Sequence, residues 1–144
     1  MSKVEQAVSV FKQGFSCSQA ILSVYGAGLG VDPEPLLKIS SGFGAGMGRM
    51  GEVCGVLTGA FMVIGLNYGR SRLEDNAGKE KTQQMIQEMV KRFKARNRAI
   101  LCRELLGCDL GTPEGIKTAL EKNLIGRLCP KFVQDAGEIL EGLL

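Results

Sequence analysis

The sequence predicts an all-α protein, a compact single-domain bundle of about eight helices over residues 1–144 with a glycine-rich loop before a central apolar helix. Apolar residues recur at helical spacing along most of the chain, and no run alternates with the β-branched enrichment of a strand. Serine, aspartate and threonine stand where these stretches begin, and glycine often stands where they end. Glycine is also over-used, at 20 of 144 residues against an average of about 7%. It concentrates in "GFGAGMGRMGEVCGVLTG", residues 42–59, where seven glycines surround one cysteine.

Val4, Val8 and Phe11 form one stripe of an opening amphipathic helix that Gly14 ends. "SCSQAILSVYGAGLG" offers Ser16 or Ser18 as a cap, runs through Ala20, Ile21, Val24 and Tyr25, and decays from Gly26 to Gly30. A third helix starts with Asp32 as N-cap and Pro33 at the first helical position. After the glycine loop an apolar helix is expected from about Glu52 to Leu66, closed by "NYG". "EDNAGKEKTQQMIQEMVKRFKARNR" is the longest helix, with Met85, Ile86, Met89, Val90 and Phe93 on its buried stripe and cations crowding its C-terminal end. "AILCRELLGCDLG" reads as a short helix with a glycine stop, and "TPEGIKTALEKN" opens on Thr112 and Pro113. The last helix, "CPKFVQDAGEILEGLL", is expected to begin at Pro130, which puts Cys129 at its N-cap.

Charged residues at 23% and apolar residues at 44% are ordinary globular proportions, and a net charge of +3 is too small to imply a nucleic-acid or membrane partner. The longest apolar run, Val53 to Leu66, has 14 residues, short of the ~20 that cross a bilayer as a helix. No signal peptide is visible at the N-terminus, so a cytoplasmic location is expected, with its five cysteines as reduced thiols. The chain has no histidine and no CxxC pair. Chemistry based on a Cys-His or Ser-His-Asp arrangement, or on imidazole metal ligands, is thereby excluded. The basic tract "KRFKARNR" is the solvated end of a long helix, and no nucleic-acid partner is expected.

The glycines have a physical use. Gly51, Gly55 and Gly59 are spaced by four, so they are expected along one face of the apolar helix, where bare backbone lets a neighbour approach closely within one chain or between two copies of a homo-oligomer. Upstream, Gly42, Gly44, Gly46 and Gly48 alternate with Phe43, Ala45, Met47 and Arg49 in a loop whose N–H groups can turn inward as an anion nest, with Arg49 adding charge. Gly46, Gly48, Arg49, Gly51 and Gly55 are accordingly the candidate cofactor-binding residues. Cys54 falls in the first turn of the expected helix, where the helix dipole favours a thiolate. Cys17 beside Ser16 and Ser18, and Cys129 before Pro130, fall at predicted helix N-termini as well. Cys102 is the better site candidate of the "CRELLGC" pair, because Cys108 lies at a helix end whose negative pole opposes ionisation.

"FSCSQAIL", "GFGAGMGRMGEVCGVLTGAFMVIGLNYG", "CRELLG" and "CPKFVQDAGEIL" together resemble the C_GCAxxG_C_C family, small bacterial and archaeal proteins to which redox activity is ascribed on the strength of four recurrent cysteines. The resemblance covers nearly the whole chain. The resemblance places the family's central cysteine motif at "CGVLTG", Cys54 to Gly59. By position the resemblance implies Cys17, Cys54, Cys102 and Cys129 as the four cysteines, with Cys108 the extra one.

Two functions follow as expectations. In the favoured one, Cys54 is the low-pKa attacking thiolate, Cys17 or Cys129 resolves it as a disulfide, Glu52 accepts a proton, and a redox partner is implied. In the alternative, Cys17, Cys54, Cys102 and Cys129 hold a metal ion or an iron–sulfur cluster, although the 36, 47 and 26 residues between them do not resemble a zinc knuckle.

Overall fold

The computed structural model describes all 144 residues, Met1–Leu144, and is all-α. Its eight helices are α1 (Lys3–Lys12), α2 (Cys17–Gly28), α3 (Pro33–Ser40), α4 (Gly55–Tyr68), α5 (Asn76–Asn97), α6 (Cys102–Leu106), α7 (Pro113–Glu121) and α8 (Leu124–Leu143). Local chemistry starts several of them where expected. Ser16 and Gln19 form a reciprocal capping box at α2. Asp32 caps α3 and Thr112 caps α7, each followed by proline at the first helical position.

α4 lies at the centre. It is apolar all round, as a helix surrounded by protein should be, and Val56, Leu57, Ala60, Val63 and Ile64 are all inaccessible to solvent. α2 packs along it, and α5 and α8 close the other sides. A single cluster of 24 buried residues runs through these helices. The closest approach is between α2 and α4. A Cβ on Gly59 would stand 2.9 Å from the Ser18 carbonyl, and one on Gly55 would stand 2.5 Å from Cys17 Sγ. These two glycines therefore press Cys17 and Ser18 onto the start of α4, within one chain.

Three expectations are corrected here. α4 begins at Gly55 rather than near Glu52, because residues 52–54 run extended beside residues 100–102. Val53 and Leu101 form an antiparallel bridge, Cys54 N donates to Ile100 O at 2.8 Å, and Cys102 N donates to Glu52 O at 2.6 Å. Gly51 consequently lies in the loop at φ 71°, off the helix face, where a Cβ would meet Asp109 Oδ1 at 2.6 Å. The last helix starts at Leu124, with Pro130 inside it. An interior proline costs about 3 kcal/mol, and the buried stripe that continues from Leu124 through Phe132, Val133, Ala136, Ile139, Leu140 and Leu143 offsets it. Cys129 is therefore inside α8, beyond its first turn, and not at a cap.

On the opposite side, α5 and α8 are clasped by Asp135. This buried carboxylate accepts from Lys131 Nζ at 2.6 Å, Arg96 Nη1 at 3.2 Å and Asn97 Nδ2 at 3.2 Å. Two cations of the "KRFKARNR" tract thus have partners in the chain: Arg96 pairs with Asp135 and Glu138, and Arg92 pairs with Glu88.

Candidate functional site

Cys17, Cys54, Cys102 and Cys129 all line one cavity of about 730 Å³ between α1, the glycine loop, α6 and α8. Four cysteines far apart in sequence are gathered by four different devices. The capping box sets Cys17 at the first position of α2. The extended 52–54 segment delivers Cys54 to the N-cap of α4, and its backbone partner strand delivers Cys102 to the start of α6. The amphipathic register of α8 turns Cys129 to the same cavity. Cys108 does not line it.

The glycine loop has an unusual backbone. Ala45, Gly46, Met47, Gly48 and Arg49 all have positive φ, between 54° and 72°, making five left-handed residues in succession. Left-handed backbone costs an L-residue about 1–2 kcal/mol, so Ala45, Met47 and Arg49 carry strain that the intervening glycines do not. Gly46 is required by space as well as by φ. A Cβ there would stand 2.5 Å from Glu52 N and 2.7 Å from Cys102 Cβ.

The N–H groups of Met47, Gly48, Arg49, Met50, Gly51 and Glu52 all donate to carbonyls within the loop and are closed to an anion. Those of Gly44, Ala45 and Gly46, at the cavity, make no backbone hydrogen bond, and the Ala45 amide lies beside Cys17. Strain concentrated beside a reactive group is a recognised mark of function. Of the candidate cofactor-binding residues, Gly46, Gly48, Arg49 and Gly55 line the cavity, and Gly51 does not.

Cys17 sulfur lies at the head of α2, beside Cys54 and the backbone amides of Ala45 and Ser18. Chiefly through the Cys54 contact, and despite burial, its pKa is lowered from 9.0 to about 7. The same contact with Cys17, together with burial, holds Cys54 well above the ordinary thiol value. The two thiols titrate as a pair, the first proton leaving more easily than from an isolated thiol and the second less easily. Both sulfurs stand at helix N-termini, but the Ala45 amide and the Cys54 thiol both converge on Cys17.

Burial, with the charge on Cys17, pushes Cys102 and Cys129 up to about 12, so both stay protonated at neutral pH. Glu52 lies outside the cavity lining and pairs with Arg103 at 3.2 Å. No group of three or more Cys, Asp or Glu side chains stands close enough together to hold a metal ion. Several lining residues gave no sign in the sequence, among them Phe11, Lys12 and Phe15 at the α1–α2 turn and Leu110 and Ile125 opposite.

The family model described as "Putative redox-active protein (C_GCAxxG_C_C)" matches residues 15–143. That span begins just before Cys17 and takes in the glycine loop and all four cavity cysteines. No curated protein and no solved structure matches the chain. No helix is long and apolar enough to cross a membrane.

Proposed function

Because the chain belongs to the C_GCAxxG_C_C family, described as redox-active, we propose that it is a thiol–disulfide redox protein in which Cys17 attacks and Cys54 resolves. One observation supports this above all. Cys17 and Cys54 both stand at the wall of an open cavity, near enough for each to shift the other's acidity, so a nucleophile and its resolving partner are neighbours.

The step balances without another reagent. Cys17 thiolate attacks one sulfur of a disulfide R–S–S–R′, forms a mixed disulfide with R–S, and expels R′–S⁻. The Cys54 proton, no longer held by a negative sulfur, passes to R′–S⁻. Cys54 thiolate then attacks Cys17 sulfur, closes the Cys17–Cys54 disulfide and releases R–S⁻. Two electrons leave the cysteine pair, and the substrate disulfide becomes one thiol and one thiolate. The backbone N–H groups around Cys17 stabilise the thiolate before attack and hold that sulfur in place for the second step.

A metal or iron–sulfur site has less support, since no three donors are gathered. Both readings meet the same experiment. Anaerobically purified protein, treated with one equivalent of a disulfide, is expected to lose two thiols and gain a Cys17–Cys54 link by peptide mass spectrometry. Cys54→Ser should stop at a mixed disulfide on Cys17. If the thiols stay inert until unfolding, or a metal ion seen by native mass spectrometry leaves on Cys17→Ser, the proposal is wrong.

A further inference from the structure

The cavity says more than where the thiols lie. Its volume of about 730 Å³ falls within the ~300–1,000 Å³ of small-molecule sites. It carries two cations, Lys12 and Arg49, and no aspartate or glutamate lines it. Both cations are exposed at the cavity and neither has an ion-pair partner, so both are free to meet a ligand. The lining is otherwise largely apolar, with Leu110 and Phe132 buried and Phe15 and Ile125, each 39% exposed, nearer solvent. Arg49 is also the last of the five left-handed residues, an arrangement that commits an L-residue to strained backbone at the cavity.

We infer that the substrate is a low-molecular-weight disulfide with an apolar body and an anionic group, its anion held by Lys12 and Arg49 and its sulfur presented to Cys17. The inference rests on Cys17 being the attacking thiol. The charge arrangement supplies the selectivity, since unpaired cations without competing carboxylates favour an anion and repel a cationic disulfide. The apolar surface adds affinity for an aromatic or alkyl body. The covalent step is the exchange already described: the S–S bond of the substrate breaks, a Cys17–S bond forms, and the departing thiolate takes the Cys54 proton.

Rates of mixed-disulfide formation test this with three probes: the dianionic aromatic dithiobis(nitrobenzoate), the neutral aromatic dithiodipyridine and the cationic cystamine. Each is run on the wild type, on Lys12→Gln/Arg49→Gln, on Arg49→Lys and on Lys117→Gln as an outlying control. In the double variant the rate with the anionic probe should fall by about tenfold relative to the neutral probe. Arg49→Lys should keep most of the preference, and Lys117→Gln all of it. Lys12→Gln alone, which leaves the loop untouched, should show part of the loss. If Cys17 reacts but the probe ratios do not change in these variants, the substrate inference fails while the thiol assignment survives. If Cys17 forms no mixed disulfide with any probe, the assignment itself fails. Reaction with the disulfides of intact insulin as fast as with the anionic probe would likewise overturn the small-molecule assignment.

Discussion

The Cys54 amide donates a 2.8 Å hydrogen bond to the Ile100 carbonyl, and this contact sets where the chain's central helix begins. It holds residues 52–54 extended, so that Cys54 becomes the N-cap of α4 and its thiol meets Cys17. The return bond, Cys102 N to Glu52 O at 2.6 Å, brings a third cysteine to the same wall. Backbone pairing, rather than any local motif, brings Cys54 and Cys102 to the cavity wall.

Removing the Cys54 donor should make Cys17 an ordinary thiol. The rate of alkylation at Cys17 by iodoacetamide is expected to be half-maximal near pH 7 in the wild type. In Cys54→Ala the midpoint should move up toward 9.0, and in Cys54→Ser, which keeps a donor, it should stop between the two. An unchanged profile in Cys54→Ala would show that the backbone amides alone set the acidity.

Stability of the reduced protein should pass through a maximum in mild alkali. Cys17 loses its proton near pH 7 when folded and near 9.0 when unfolded, so between these values the unfolded chain binds the extra proton and stability rises with pH. Above that window Cys54, Cys102 and Cys129 keep protons that the unfolded chain releases. Stability then falls, by at most about 4 kcal/mol per pH unit for three protons. Urea unfolding at about pH 6, 8 and 10 gives the test, and a monotonic rise across that range contradicts it.

Two glycine-to-alanine exchanges should act in opposite directions. Gly46→Ala forces a Cβ to within 2.5 Å of Glu52 N at φ 72°, and is expected to destabilise by about 2–4 kcal/mol. Gly65→Ala, inside α4 with nothing within 4 Å of the new Cβ, should stabilise by about 0.5–1 kcal/mol. Equal effects on the urea midpoint would mean that the left-handed loop is not rigid.

The Asp135 clasp should show as acid sensitivity. Burial alone would raise this carboxyl's pKa, but Lys131, Asn97 and Arg96 outweigh it and hold the group below its ordinary 3.8. A depressed acid stabilises the fold above the unfolded pKa, and the contribution is lost as pH falls through the folded one. Asp135→Asn is expected to lose about 1–3 kcal/mol at neutral pH, with the gap to wild type closing in acid. A gap that stays constant with pH would place the effect in packing instead.

Much of the fold was legible because its signals are local. Asp32–Pro33 and Thr112–Pro113 start helices by contacts within three residues, and the apolar stretch after Cys54 announces a helix enclosed by protein. The same local logic failed at Pro130. A proline at a helix start and a proline inside a helix look alike in sequence, and the burial of Phe132, Val133 and Ala136 decides between them. It failed at Gly51 too, since a four-residue spacing marks a helix face only where there is a helix.

The sequence by itself determined the all-α class, most helix starts, the absence of imidazole chemistry and the four cysteines that matter. Tertiary structure alone decided which groups surround each sulfur. The acidity of a thiol depends on the donors within a few ångströms, and those around Cys17 come from Ala45 and Cys54, distant in the chain. It also decided which loop amides are taken up within the loop, Met47 to Glu52, and which are left toward the cavity, because hydrogen-bond partners are settled by geometry and not by composition.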